Sequence, residues 1–72
     1  MLRLRAERLR RGLSQTKLAA LAGLHPSEIS RLENARVYPY PGWRKRLGEA
    51  LGWPADRVDE LFEEVPDDEP EA

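Results

Sequence analysis

Ser27, Arg31 and Asn34 stand four and then three residues apart. On a helix that turns about 100° per residue, this spacing aims a hydroxyl, a guanidinium and a carboxamide to one side. Ile29 and Leu32 point almost directly opposite. Such an outer face is slim and offers donors and acceptors, which suits hydrogen bonding to the edges of base pairs. An arginine can grip guanine O6 and N7 together, so Arg31 is the sharpest specificity candidate. A phosphate contact or a pair with Glu28 are its alternatives. Ser27 and Ser30 could bond a base or a phosphate, or Ser30 could face a neighbouring helix. Glu28 repels phosphate. In a groove its partner would be cytosine N4, and it could equally orient Arg31.

Other chemistries find no residues to carry them. Ser14, Ser27, Ser30 and His25 fall into no nucleophile–base arrangement, and no phosphate loop is present, so no enzyme and no catalytic residue are expected. With no cysteine and 1 histidine, disulfides and metal clusters have no ligands, and no metal or other cofactor is expected. No apolar run approaches the roughly 20 residues of a membrane span. The opening "MLRLRAERLRRG" is charged too often for a secretory signal. These features point to a soluble, cytoplasmic chain with no membrane partner.

The elements that must position the polar face follow from periodicity. Leu2, Ala6, Leu9 and Leu13 share the i, i+4, i+7, i+11 spacing of one helical face, and Arg3, Glu7 and Arg11 stand four apart on another. Gly12 ends this helix. Ser14 reads as the next N-cap, although Lys17 stands where a capping-box glutamate would. Leu18, Ala19 and Ala22 give the second helix a small apolar face, and Gly23 stops it. Leu24 is placed to plug the bend. His25 falls at the N-cap and Pro26 at the first position of the third helix, where a missing N–H costs nothing. That helix runs to about Asn34. The loop "ARVYPYPG" leads to a fourth helix from about Gly42 to Leu51, with Trp43, Leu47, Ala50 and Leu51 as its stripe. Trp53-Pro54 opens a last short helix with Val58, Leu61 and Phe62 inward. Trp43 and Trp53 read as core or dimer-interface residues. After Glu63 the text turns acidic, proline-containing and aperiodic. The expected division is a domain over 1–63 and a disordered acidic tail over 64–72, with no repeat and no strand.

Glu33 lies about 40° from Ile29 on the wheel, so it leans toward the core. A carboxylate there needs a partner, because an isolated buried charge is very costly. Arg8 can meet it with a two-pronged guanidinium. Charge is also divided along the chain. Met1 to Arg46 holds 11 Lys/Arg and 3 acids, and Leu47 to Ala72 holds 1 base and 10 acids, leaving +8 and −9 within a total of −1. A chain that is acidic on average can therefore present a basic face to a polyanion. Arginine outnumbers lysine 10 to 2, which suits phosphate forks.

The segment "GLSQTKLAALAGLHPSEISRLENA", followed by "P…LGEALGW", resembles the Cro and lambda-repressor-like (XRE-type) helix-turn-helix family. The resemblance runs from about Leu2 to Phe62. It implies an all-α, compact five-helix lambda-repressor-like domain in which helices two and three form the helix-turn-helix. It further implies that Gln15 binds phosphate and steadies the recognition helix. Pro26, Ser27, Glu28 and Arg31 match positions that meet base edges. Pro26 brings no side-chain donor and could touch only a thymine methyl. Asn34 and Arg36 match backbone-contact positions, and Arg8 with Glu33 matches an ion pair between helices one and three. Ser14, Thr16 and Lys17, beside Gln15, are expected on phosphate, as is Arg44, which stands where the family is often apolar. Where the family often has glycine after "EN" this chain has Ala35, so Asn34 or Ala35 must manage the helix exit. Pro41 and Gly42 should start helix four late and leave N–H groups for phosphate.

Two functions are consistent with these features. One is a sequence-specific reader of double-stranded DNA, a repressor-like regulator acting as a homodimer on a two-fold site, of prokaryotic or phage type. The other is a protein-interaction or antitoxin-like module that keeps the fold and binds a protein partner through the acidic tail.

Overall fold

The structure is a computed structural model, and it describes residues 1–66. The expected disorder of Asp67–Ala72 lies outside the described residues. Four α-helices, α1 (Arg3–Arg10), α2 (Gln15–Ala22), α3 (Pro26–Glu33) and α4 (Pro41–Leu51), precede a 3-10 helix (Ala55–Phe62). The fold is all-α as the periodicity implies, and no helix is long and apolar enough to cross a membrane among the described residues. Each element contributes a fully buried side chain: Leu4, Leu18, Ile29 and Leu32, Leu47, and Leu61. α2 packs on both α3 and α4, and the 3-10 helix bridges α4 and α1.

The start of α2 is capped by Ser14, whose Oγ accepts the Lys17 N–H at 2.9 Å. At α3 the cap is a histidine. Nδ1 of His25 accepts the Ser27 N–H at 3.2 Å, and Oε1 of Glu28 accepts the His25 N–H at 2.9 Å. This reciprocal box satisfies donors that the first helical turn leaves unpaired.

The exits share one geometry. After α2, Gly23 takes φ +71°, and the Leu24 N–H reaches back to the Ala19 carbonyl at 2.9 Å. After α3 the same bonds form, Arg36 N–H to Arg31 O at 2.8 Å and Ala35 N–H to Leu32 O at 3.1 Å, but the left-handed residue is Ala35 at φ +56°. A Cβ in that region costs about 1–2 kcal/mol. Ala35→Gly should therefore raise stability by about 1 kcal/mol, a melting shift of roughly 4–8 °C for a chain of this size. Differential scanning calorimetry reads it, and an unchanged or lowered midpoint would show that Ala35 is not strained.

Two expectations are corrected. On α1, Leu9 is 45% exposed while Leu4 is fully buried. Leu2 has extended backbone (φ −69°, ψ 146°) and precedes the helix, so a wheel phased on it is rotated away from the true face. The tail also does not begin at 64. Glu64 forms an isolated antiparallel bridge with Leu2, Val65 is buried, and the Val65 N–H donates to the Met1 carbonyl at 2.8 Å. Acidic composition suggests disorder locally, but pairing with the N-terminus supplies the hydrogen bonds that order these residues.

Candidate nucleic-acid interface

α3 has opposite faces of opposite chemistry. Ile29, Leu32 and Glu33 are buried, and Ser27, Arg31 and Asn34 are exposed. Arg31 makes no ion pair among the described residues, so its alternative pairing with Glu28 is not formed, and Glu28 is engaged in the helix cap. The Asn34 carboxamide donates to the Ser30 carbonyl at 2.9 Å. Pro26 and Ser30 are half-buried at the rim of the same face.

The inner face fixes how α3 is held. Nε and Nη2 of Arg8 donate to Oε2 and Oε1 of Glu33 at 2.6 and 3.1 Å, and Nη1 donates to the Leu13 carbonyl at 2.8 Å. The Glu33 side chain is only 2% exposed. Gln15 Nε2 donates to Glu33 Oε1 at 3.1 Å. One carboxylate thus ties α3 to α1 and to the first residue of α2. Ser14, Thr16 and Lys17, around the same start of α2, are exposed. α2 and α3 are joined through the left-handed Gly23 and the plug Leu24, which packs on the core.

Two helices with this short glycine bend, braced by a third, form the DNA-binding helix-turn-helix arrangement, in which the second helix enters the major groove. A family model described as a helix-turn-helix domain matches residues 2–61. The chain belongs to the helix-turn-helix domain family. No match was found among curated proteins or among solved structures. The helix-turn-helix domain is the fold of DNA-binding regulators, and it is typically a binding module and not an enzyme. Among the described residues no group of His, Cys, Asp and Glu could hold a metal ion.

Within this helix-turn-helix domain, the remaining basic residues divide into free and engaged. Arg36 is exposed, and its side chain bonds nothing among the described residues. Arg44, expected on phosphate, is instead tied down. It donates to the Pro39 carbonyl at 2.7 Å, to Asp59 Oδ1 at 2.7 Å and to the Tyr38 hydroxyl at 3.3 Å. Donation to the Asp59 carboxylate raises its pKa above the ordinary arginine value. α4 begins at Pro41, and its Arg44 N–H is used by the Tyr40 carbonyl.

Glu7, read from the sequence only as part of a polar face with Arg3 and Arg11, is buried in the structure. Its carboxylate accepts from Arg10 at 2.9 Å and from Arg11. The four-residue spacing to Arg11 marks the pairing in the sequence, and the three-residue spacing to Arg10 adds the second partner. Two apparent surface cations at the end of α1, Arg10 and the C-cap Arg11, are thus engaged with a buried acid.

Proposed function

We propose that this helix-turn-helix domain is a sequence-specific reader of double-stranded DNA, a repressor-like regulator of the Cro and lambda-repressor-like (XRE) type. α3 lies in the major groove, and the protein acts as a homodimer on a two-fold site in the cytoplasm of a prokaryotic or phage-infected cell. The observation that carries the reading is the exposed, unpaired Arg31 between Ser27 and Asn34, on a helix held from behind by Glu33. In this reading Ser27 and Arg31 meet base edges, with Pro26 against a thymine methyl. Gln15, Thr16, Lys17 and Arg36 meet phosphates around the groove, with Ser14 and Asn34 at their helix ends. Phosphate contacts set register and base contacts set sequence.

Selection of duplexes from a random pool tests this, with Arg31→Ala run beside the wild type. The wild type should enrich a short palindrome. The variant should lose preference at one position per half-site, a discrimination of about 1–3 kcal/mol. Enrichment of nothing beyond salt-sensitive bulk binding defeats the proposal. A protein-interaction module is then the second reading. It is favoured by Tyr38 and Tyr40, which are 58% and 56% exposed and stack edge-on with centroids 4.9 Å apart.

A further inference from the structure

α4 and the 3-10 helix do not meet along their whole length. They approach closely at Gly48 and Val58, and beside that contact they leave an open cleft of about 340 Å³. Its apolar lining comes from Pro41, Trp53, Ala55 and Val58. Trp53 Nε1 already donates to the Arg57 carbonyl at 3.0 Å, so the indole meets the cleft with its polar atom satisfied. The Arg44–Asp59 pair at 2.7 Å spans the two walls. An apolar cavity of about 150 Å³ is enough to hold benzene, and ligand sites begin near 300 Å³.

The remaining charged lining residues are Lys45 and Glu49. They stand four apart on α4 with the lysine first, the less favourable order for a helical pair. Neither forms an ion pair among the described residues, and both are exposed. The cleft therefore combines an apolar slot with one unengaged cation and one unengaged anion on the same wall.

We propose that this cleft binds a small zwitterion with an apolar body, of the class of free aromatic amino acids. Lys45 takes the carboxylate, Glu49 takes the ammonium, and Trp53, Val58 and Pro41 cover the ring. The site is separate from the exposed face of α3, and its occupancy does not depend on DNA.

The test is titration of the nitrogen-15-labelled full chain with L-phenylalanine, without DNA, followed by amide and indole shifts. The controls are 3-phenylpropionate, which lacks the ammonium, and phenethylamine, which lacks the carboxylate. L-phenylalanine should give saturable shifts centred on Lys45, Gly48, Glu49 and the Trp53 indole. Each control should bind about tenfold more weakly, as loss of a charged hydrogen-bond partner implies. Lys45→Glu and Glu49→Lys should each remove binding, and the double exchange should restore it. Both positions are exposed, so the spectra also report that the variants stay folded. The proposal fails if no saturable shift develops by about 10 mM, a concentration that mostly fills even a millimolar site. It fails equally if the three compounds bind alike, since the cleft would then be an apolar slot without a head-group site.

Discussion

Arg8→Met should destabilise the domain by about 3–5 kcal/mol, because it leaves the buried Glu33 carboxylate without its cation. For a small domain with only about 5–15 kcal/mol in hand, this is a large fraction of the total. The double variant Arg8→Met/Glu33→Leu should recover most of the loss, since an apolar pair of similar volume removes the uncompensated charge. A residual deficit of about 1 kcal/mol is expected, because Gln15 and the Leu13 carbonyl lose their partners. Urea melts of the two single variants and the double variant measure the cycle. If either single change costs no more than the roughly 0.5 kcal/mol of an ordinary surface substitution, the carboxylate does not depend on Arg8.

Gly48→Ala should cost about 1–3 kcal/mol through overpacking. A methyl there would stand 2.8 Å from Val58 Cγ2, and Val58 is a stiff branched side chain on the neighbouring 3-10 helix. The two elements cannot both keep their places. Alanine would otherwise improve the intrinsic helix propensity of α4 by about 1 kcal/mol, so a net loss isolates the clash. Combined with Val58→Ala, the substitution should cost clearly less than the sum of the two single changes, the mark of residues in direct contact. Thermal melts decide this, and simple additivity would mean that the 3-10 helix relaxes freely away from α4.

Most of the frame of the interface could be read from residue order. Ser14, Gly23, His25 and Pro26 have short-range reasons for their positions, and those reasons survive folding. The inward lean of Glu33 follows from helical angles alone. What could not be read depends on contacts far apart in sequence. Leu2 stands in extended backbone ahead of α1, bridged to Glu64, so a helical wheel phased on it takes in the exposed Leu9 and misses the buried Leu4. Arg44 looked like a free surface cation until folding brought Asp59 to it from 15 residues away. The 3-10 winding of the last helix leaves no mark in its apolar spacing, since Leu61 is buried and Val58 and Phe62 pack on the core as an α-helical stripe would also place them. The reciprocal cap by Glu28 was legible in principle, because it stands three residues after the His25 cap.

The bridge between Leu2 and Glu64 also orders events in time. The turns between helices join neighbours along the chain, whereas this clasp, like the packing of α1 on the 3-10 helix beside it, must bring together segments up to 62 residues apart. Closing a loop of that length in an unfolded chain costs about 3–4 kcal/mol of entropy before a single bond forms. Packing of α1 on the 3-10 helix already brings the two ends within reach, so the clasp is expected to close no earlier than that contact. In the native state it is the natural first unit to open, a small local unfolding that exposes Val65 and leaves α2 and α3 in place.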